Sequence, residues 1–108
     1  MQITSPLIYE RLKTVMDPEL DINIVDLGLV YGVDITQNEP TAPATVVITM
    51  TLTTPGCPLA ATFETMIKDA LWGIESLDVD HNLKLNLTFD PPWVSDMMSE
   101  EAKAELGL

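Results

Sequence analysis

The sequence is poor in cysteine and in basic residues. Its single cysteine, Cys57, excludes an internal disulfide, which agrees with a reducing compartment and leaves the thiol free for other chemistry. Only 5 lysine and arginine residues stand against 17 aspartate and glutamate residues, a formal net charge of -12. Such a charge repels phosphate backbones, so we expect no nucleic-acid partner. It favours a basic protein partner, or is simply the charge of a soluble acidic surface.

Long apolar runs are also missing. No stretch approaches the length of a membrane span, and the first residues, MQITSPLIYERL, show no basic region followed by an apolar run. We therefore expect a cytoplasmic protein that does not associate with membranes. The 108 residues, 46% of them hydrophobic, predict one domain, 1–108, with one core.

Helix signals open the chain. Ser5 and Pro6 are typical of an N-cap and a first helical position, and apolar residues then recur at helical spacing as far as Met16. Pro18 disfavours a helical conformation at the residue before it. The sequence therefore predicts a first helix from about Pro6 to Met16, followed by an irregular acidic stretch.

Further elements follow in a mixed order. Alternating apolar and polar residues predict strands over 29–36, 45–53 and 83–90. An apolar stripe predicts a central helix over 58–74, and caps at both ends predict a short last helix over 99–107. The order α-β-β-α-β-α predicts an α+β fold, a two-layer small domain with its helices on the apolar face of a small sheet.

The segment TTPGCP, residues 53–58, joins a predicted strand to the central helix and contains the only thiol. Because Pro58 suits the first helical position, Cys57 is the expected N-cap, where free N–H groups and the helix dipole favour a reactive thiolate. Gly56 permits a left-handed backbone or the close approach of a ligand. The alternative is that Cys57 is a small buried apolar residue, and local chemistry leaves both interpretations open.

Four carboxylates follow the first helix, at Asp17, Glu19, Asp21 and Asp26. They are enough to bind a hard cation or a basic partner, although their spacing does not match an EF-hand loop. The alternative is structural, with Asp17 and Asp26 capping turns and the other two solvated.

Two further residues are candidates for a site. His81 is the only histidine and would be needed for a cysteine–histidine pair, but its neighbours predict a surface turn. Trp93, after two prolines, either docks the tail onto the core or presents an aromatic ring to a partner.

Three segments together resemble a known family. They are DPELDINIVDLGLVYGVDI at 17–35, VVITMTLTTPGCPLA at 46–60 and DPPWVSDMMSEEAKAELG at 90–107. Their order and spacing are similar to those of the SufT/PaaD-type iron-sulfur cluster assembly proteins, whose eukaryotic relatives serve the cytosolic assembly targeting complex. The resemblance implies an α+β domain similar to the iron-sulfur cluster assembly domain of the NifU C-terminus, and metal-sulfur cluster biosynthesis in the manner of the SUF system.

The resemblance also implies site residues. The positions that match the family's motifs are Cys57, Asp17, Glu19, Asp26, Thr53 and Thr54. We add Gly56 and Trp93 as candidate binding residues on the local arguments above.

The implied function is maturation of iron-sulfur proteins. Some members of the family carry further cysteines or domains, whereas this sequence has one thiol, and a cluster commonly needs four ligands. We therefore expect either an adaptor or a transient carrier between assembly scaffold and client apoproteins. A carrier would hold iron or an iron-sulfur cluster transiently at Cys57, for instance in a homodimer, and we expect no tightly bound cofactor. Two alternatives to this assembly factor are a thiol-dependent enzyme and a pure interaction module.

Overall fold

The computed structural model describes residues 3–17, 20–39, 41–52 and 59–107, apart from the side chains of 59 and 60. Within these ranges, helices and strands follow the predicted order. The elements are α1 (Ser5–Leu12), β1 (Val30–Thr36), β2 (Thr45–Met50), α2 (Leu59–Leu71), β3 (Leu83–Leu87), a 3-10 helix (Ser95–Met97) and α3 (Glu100–Leu106). The predicted α+β class, a small two-layer domain, is confirmed.

The sheet is built around β2, which lies between β1 and β3. β1 pairs with β2 in antiparallel fashion, with Val33 opposite Ile48. β3 pairs with β2 in parallel, with Leu85 opposite the same residue. Because β2 and β3 are parallel, the chain must cross from one end of the sheet to the other between them, and α2 lies in that connection.

One face of the sheet forms the core. Val46, Ile48 and Met50 of β2 are fully buried, while the residues between them are half-buried, as the alternation predicts. α1 packs against both α2 and β1. The helices bury these side chains in the same cluster: Ile8, Leu12, Phe63, Ile67 and Leu71.

The predicted limits of α1 are wrong at both ends. Thr4, not Ser5, is the N-cap, and its hydroxyl oxygen accepts a backbone N–H of the first turn at 3.4 Å. The helix stops at Leu12 and does not reach Met16, because Met16 instead forms an isolated antiparallel bridge with Asn23. A tertiary pairing thus overrides the helical periodicity.

The other elements are shorter than predicted. β2 ends at Met50 and β3 at Leu87. α2 ends at Leu71, and Gly73 follows with a φ of 88°, a left-handed conformation that glycine tolerates. Ile74 was predicted within the helix. It lies after the end of α2 and is nevertheless buried.

The last helix has both predicted caps. The Ser99 hydroxyl oxygen accepts the backbone N–H of Ala102 at 3.1 Å. Gly107 ends the helix in a left-handed conformation with a φ of 76°. Among the described residues, no helix is long and apolar enough to cross a membrane.

Candidate functional site

The edge of the sheet where β2 ends is the candidate site. β2 and β3 are parallel, so their C-terminal residues Met50 and Leu87 are partners there, and Val30 at the start of β1 pairs with Met50 at the same edge. The chain leaves this edge after Leu52, passes through segment 53–58 and enters α2. We call it the loop edge. Loops that follow the carboxyl ends of parallel strands are common binding sites.

Most of the predicted site lies outside the described residues. These positions are Cys57, with its expected role as N-cap, and Glu19, Thr53, Thr54 and Gly56. The structure does describe the chain on either side of segment 53–58, and the other predicted residues Asp17, Asp26 and Trp93.

The end of β2 is fixed from both sides. The backbone N–H of Thr88 donates to the carbonyl oxygen of Met50 at 2.8 Å, and the backbone N–H of Thr51 donates to that of Leu29 at 2.9 Å. Thr51 and Leu52 are both buried. Segment 53–58 therefore starts from a buried, hydrogen-bonded anchor.

A turn with the sequence Asp-Leu-Gly precedes β1 at this edge. The Asn23 side chain closes the turn: its Oδ1 accepts the backbone N–H of Asp26 at 2.9 Å, and its Nδ2 donates to Asp26 Oδ2 at 2.7 Å. The structural interpretation of Asp26 had its carboxylate capping a turn, but the side chain that caps a backbone N–H here is that of Asn23. An asparagine three residues before an aspartate was the signal available in the sequence.

The C-terminal tail is docked on this turn. The indole N–H of Trp93 donates to the Leu27 carbonyl oxygen at 2.7 Å, and the indole is half-buried against the core. The hydroxyl of Tyr31 donates to the Pro91 carbonyl oxygen, also at 2.7 Å. The structure therefore supports the interpretation in which Trp93 docks the tail onto the core.

Two more contacts bring turn and tail together. The backbone N–H of Ser99 donates to the Asp26 carbonyl oxygen at 2.7 Å. Gly28 has a φ of 78°, and a Cβ atom there would lie 2.3 Å from the Met97 carbonyl oxygen. The approach is so close that only glycine fits without moving the tail.

Asp17 organises the acidic stretch after α1. It is 4% exposed, and its Oδ1 accepts the backbone N–H of Leu20 at 3.0 Å. Its own N–H donates to the Ile22 carbonyl oxygen at 2.9 Å. This is the capping role of the structural interpretation, and it gives a buried carboxylate oxygen a hydrogen-bond donor. Among the described residues, no group of three or more cysteine, histidine or acidic side chains could hold a metal ion.

Exposed apolar side chains flank the loop edge. Leu87, Phe89 and Val94 are all exposed, Val94 to 52%. The first of them pairs with Met50 at the end of β2, and the other two follow it along the chain. We call these three residues the apolar rim. The sequence signal for Leu87 and Phe89 was the predicted apolar alternation of β3, which continues past the last residue of the strand.

His81 lies at the opposite end of β3. It is exposed in a turn, as predicted, and its Nδ1 is 2.9 Å from Asp78 Oδ2. This hydrogen bond, more than any other interaction, lowers the pKa of Asp78 below its usual value. The 5 residues of β3 span about 15 Å, so the strand separates His81 from the loop edge.

Comparison with known proteins agrees with this fold and these motifs. Residues 7–81 match the family described as "Iron-sulfur cluster assembly protein". A Porphyromonas gingivalis protein named Fe-S protein maturation auxiliary factor is 46% identical over 100 residues, covering 93% of this chain and 88% of the relative. The Staphylococcus aureus Fe-S protein maturation auxiliary factor SufT is 38% identical over 94 residues, covering 87% and 98%.

A solved structure gives the same result for the fold. The crystal structure of a domain of unknown function from Bacillus anthracis superposes with a TM-score of 0.78 at 38% identity, covering 95% of this chain and 91% of that one. The resemblance stated from the three sequence segments is therefore confirmed. The chain belongs to the iron-sulfur cluster assembly protein family.

Proposed function

We propose that this protein is a maturation factor for iron-sulfur proteins, which works through Cys57 as an adaptor or transient carrier between an assembly scaffold and client apoproteins. The relatives named Fe-S protein maturation auxiliary factor support the general role. The observation that carries the proposal for this chain is the loop edge, because the segment with the only thiol leaves it from a buried anchor.

The position of the thiol along the chain supports its reactivity. Cys57 stands two residues before the first residue of α2, Leu59. The start of a helix offers unpaired N–H groups and the positive end of its dipole, and both favour a thiolate. A thiolate is the form that binds iron.

The apolar rim supports docking of a client beside that thiol. Leu87, Phe89 and Val94 are exposed at or just beyond the strand end from which segment 53–58 departs. Apolar and aromatic side chains form the desolvated centre of protein interfaces. A client bound there would bring its own cysteines close to Cys57.

The number of thiols limits what one chain can hold. The chain has one cysteine, and a cluster is commonly held by four thiolates. Other ligands must therefore come from a second chain, from small thiols or from the client. Transfer would replace the iron–sulfur bond of Cys57 with an iron–sulfur bond of a client cysteine, with no net oxidation or reduction.

Anaerobic reconstitution with iron, sulfide and a small thiol that can supply the remaining ligands tests this proposal. Wild-type protein is expected to retain about one cluster per two chains after desalting, and Cys57→Ser none. Phe89→Ser is the matched control, since it leaves the thiol intact and is expected to retain iron but deliver it poorly to a client. Equal retention of iron by wild type and Cys57→Ser would contradict a carrier role for Cys57. If neither retains iron, the adaptor form is tested by client binding to wild type and Phe89→Ser.

The thiol-enzyme alternative needs a base within hydrogen-bond reach of Cys57. His81, the only histidine, lies at the far end of β3 and is bonded to Asp78. No observation on the described residues favours that alternative over a maturation factor.

A further inference from the structure

Trp72 is the most exposed large apolar residue in the described part of the chain. It is 74% exposed, whereas the next, Val94, is 52% exposed. It follows the last residue of α2, and the 13 residues of that helix span about 20 Å. Trp72 therefore lies far from the loop edge, and the fold makes little use of its indole ring. A tryptophan exposed in this way is typical of an interaction site.

The segment 69–83 around Trp72 is acidic in sequence, and Lys68, one turn earlier on α2, pairs with Glu64 at 3.4 Å. No lysine or arginine occurs between positions 69 and 83. In that segment the exposed carboxylates are those of Asp69, Glu75, Asp78 and Asp80. Consecutive tight turns keep the segment compact: the Trp72 N–H donates to the Asp69 carbonyl oxygen at 3.4 Å, and the Leu77 N–H to that of Ile74 at 3.2 Å.

The end of α2 contributes one feature that favours cations and one that opposes them. The C-terminal end of α2 carries the negative end of the helix dipole, which favours cations. The only arginine, Arg11, donates to the Ala70 carbonyl oxygen at 3.3 Å, so its positive charge offsets part of this potential. Beyond Trp72, Glu75 and Asp78 line an open depression of about 420 Å³. There is thus room for a side chain beside these carboxylates.

We propose that Trp72, Asp69 and Glu75 form a docking surface for an arginine-containing basic segment of a partner protein. A guanidinium group would stack on the indole face while the two carboxylates pair with it or with neighbouring bases. Arginine fits better than lysine because its planar group stacks and donates several hydrogen bonds at once. A second copy of the chain fits poorly, since it brings its own net charge of -12.

This surface goes beyond the proposed function and does not depend on Cys57. Because α2 separates it from segment 53–58, a partner held at Trp72 leaves the loop edge open to a second protein. The protein could then hold two proteins at once, one at each end of α2.

Nuclear magnetic resonance of the full ¹⁵N-labelled chain tests the proposal through its two indole N–H signals. The probe is a peptide of about ten residues with four arginines, and the matched control replaces each arginine with uncharged citrulline. The arginine peptide is expected to shift the Trp72 signal, more weakly at high salt, and to leave the hydrogen-bonded Trp93 signal unchanged. The citrulline peptide is expected to shift neither.

Variants complete the test. Trp72→Ala should weaken binding of the arginine peptide about tenfold, and Glu75→Gln about two- to fivefold. Leu106→Ala, an exposed apolar position on α3, and Cys57→Ser should bind like wild type. Cys57→Ser thereby separates failure of this proposal from failure of the carrier role.

Three outcomes would overturn the proposal. The first is equal binding of the arginine and citrulline peptides, and the second is undiminished binding by Trp72→Ala with a native circular dichroism spectrum. The third is a wild-type dimer that dissociates in Trp72→Ala, measured by sedimentation, which would assign the surface to a second copy of the chain.

Discussion

Replacing Gly28 with alanine probes the docking of the tail on the Asp-Leu-Gly turn. A Cβ atom at Gly28 would lie 2.3 Å from the carbonyl oxygen and 2.8 Å from the carbonyl carbon of Met97, both backbone atoms. The tail would have to move by roughly 1 Å to restore ordinary contact. Gly73 is the matched control, because its φ of 88° resembles the 78° of Gly28 but a Cβ atom there meets nothing within 4 Å.

The two substitutions should therefore differ in stability. Both force alanine into a left-handed conformation, which costs about 1 kcal/mol. Only Gly28→Ala also displaces the tail and weakens two hydrogen bonds, Trp93 to Leu27 and Ser99 to Asp26, each worth about 1 kcal/mol. We expect the free energy of unfolding to fall by about 1 kcal/mol in Gly73→Ala and about 3 kcal/mol in Gly28→Ala.

Urea unfolding followed by circular dichroism measures both values by linear extrapolation. The dependence of the free energy on urea should stay the same in the two variants, so that midpoints can be compared directly. Free energies of unfolding that agree to within about 0.5 kcal/mol would refute the argument that the close approach to Met97 matters.

Three further predictions concern single side chains. Trp93→Phe removes the donor to the Leu27 carbonyl oxygen and should lower the free energy of unfolding by about 1 kcal/mol in urea, and an unchanged midpoint would count against that hydrogen bond. Phe63→Ala removes a side chain that is only 2% exposed and should lower the free energy of unfolding by about 3 to 5 kcal/mol in the same assay. A decrease of less than about 1 kcal/mol would contradict its place in the core. His81→Gln should raise the pKa of Asp78 toward its usual value in a carboxyl titration. Because the pKa of Asp78 is lower in the folded than in the unfolded protein, wild type should be more stable than the variant above the unfolded pKa. This difference in the free energy of unfolding should vanish as the pH falls through the folded pKa.

Local patterns predicted most of the fold. The alternation in β2 and the caps Ser99 and Gly107 are correct because each depends on neighbours in sequence. The end of α1 was wrong because Met16 pairs with Asn23 across a turn, and helical periodicity carries no information on such a bridge.

The site was less predictable because its parts are distant in sequence. The hydrogen bond from Trp93 to the Leu27 carbonyl oxygen joins residues 66 positions apart, and that from Tyr31 to Pro91 joins residues 60 apart. Within each pair, the position of one residue cannot be inferred from the other by sequence spacing. Trp72, by contrast, lies within the predicted central helix but off its apolar stripe, so its exposure was open to inference from the helical period.

The most direct test of the central claim is made in cells of the organism that encodes the chain. The measurement is the specific activity of an iron-sulfur enzyme, normalised to its protein level, in cells that express wild type, Cys57→Ser or no chain. Thr62→Ser, at an exposed position of α2, is the matched control. We expect Thr62→Ser to equal wild type and Cys57→Ser to fall to the level of cells without the chain. Wild-type activity with Cys57→Ser at equal abundance would contradict the account.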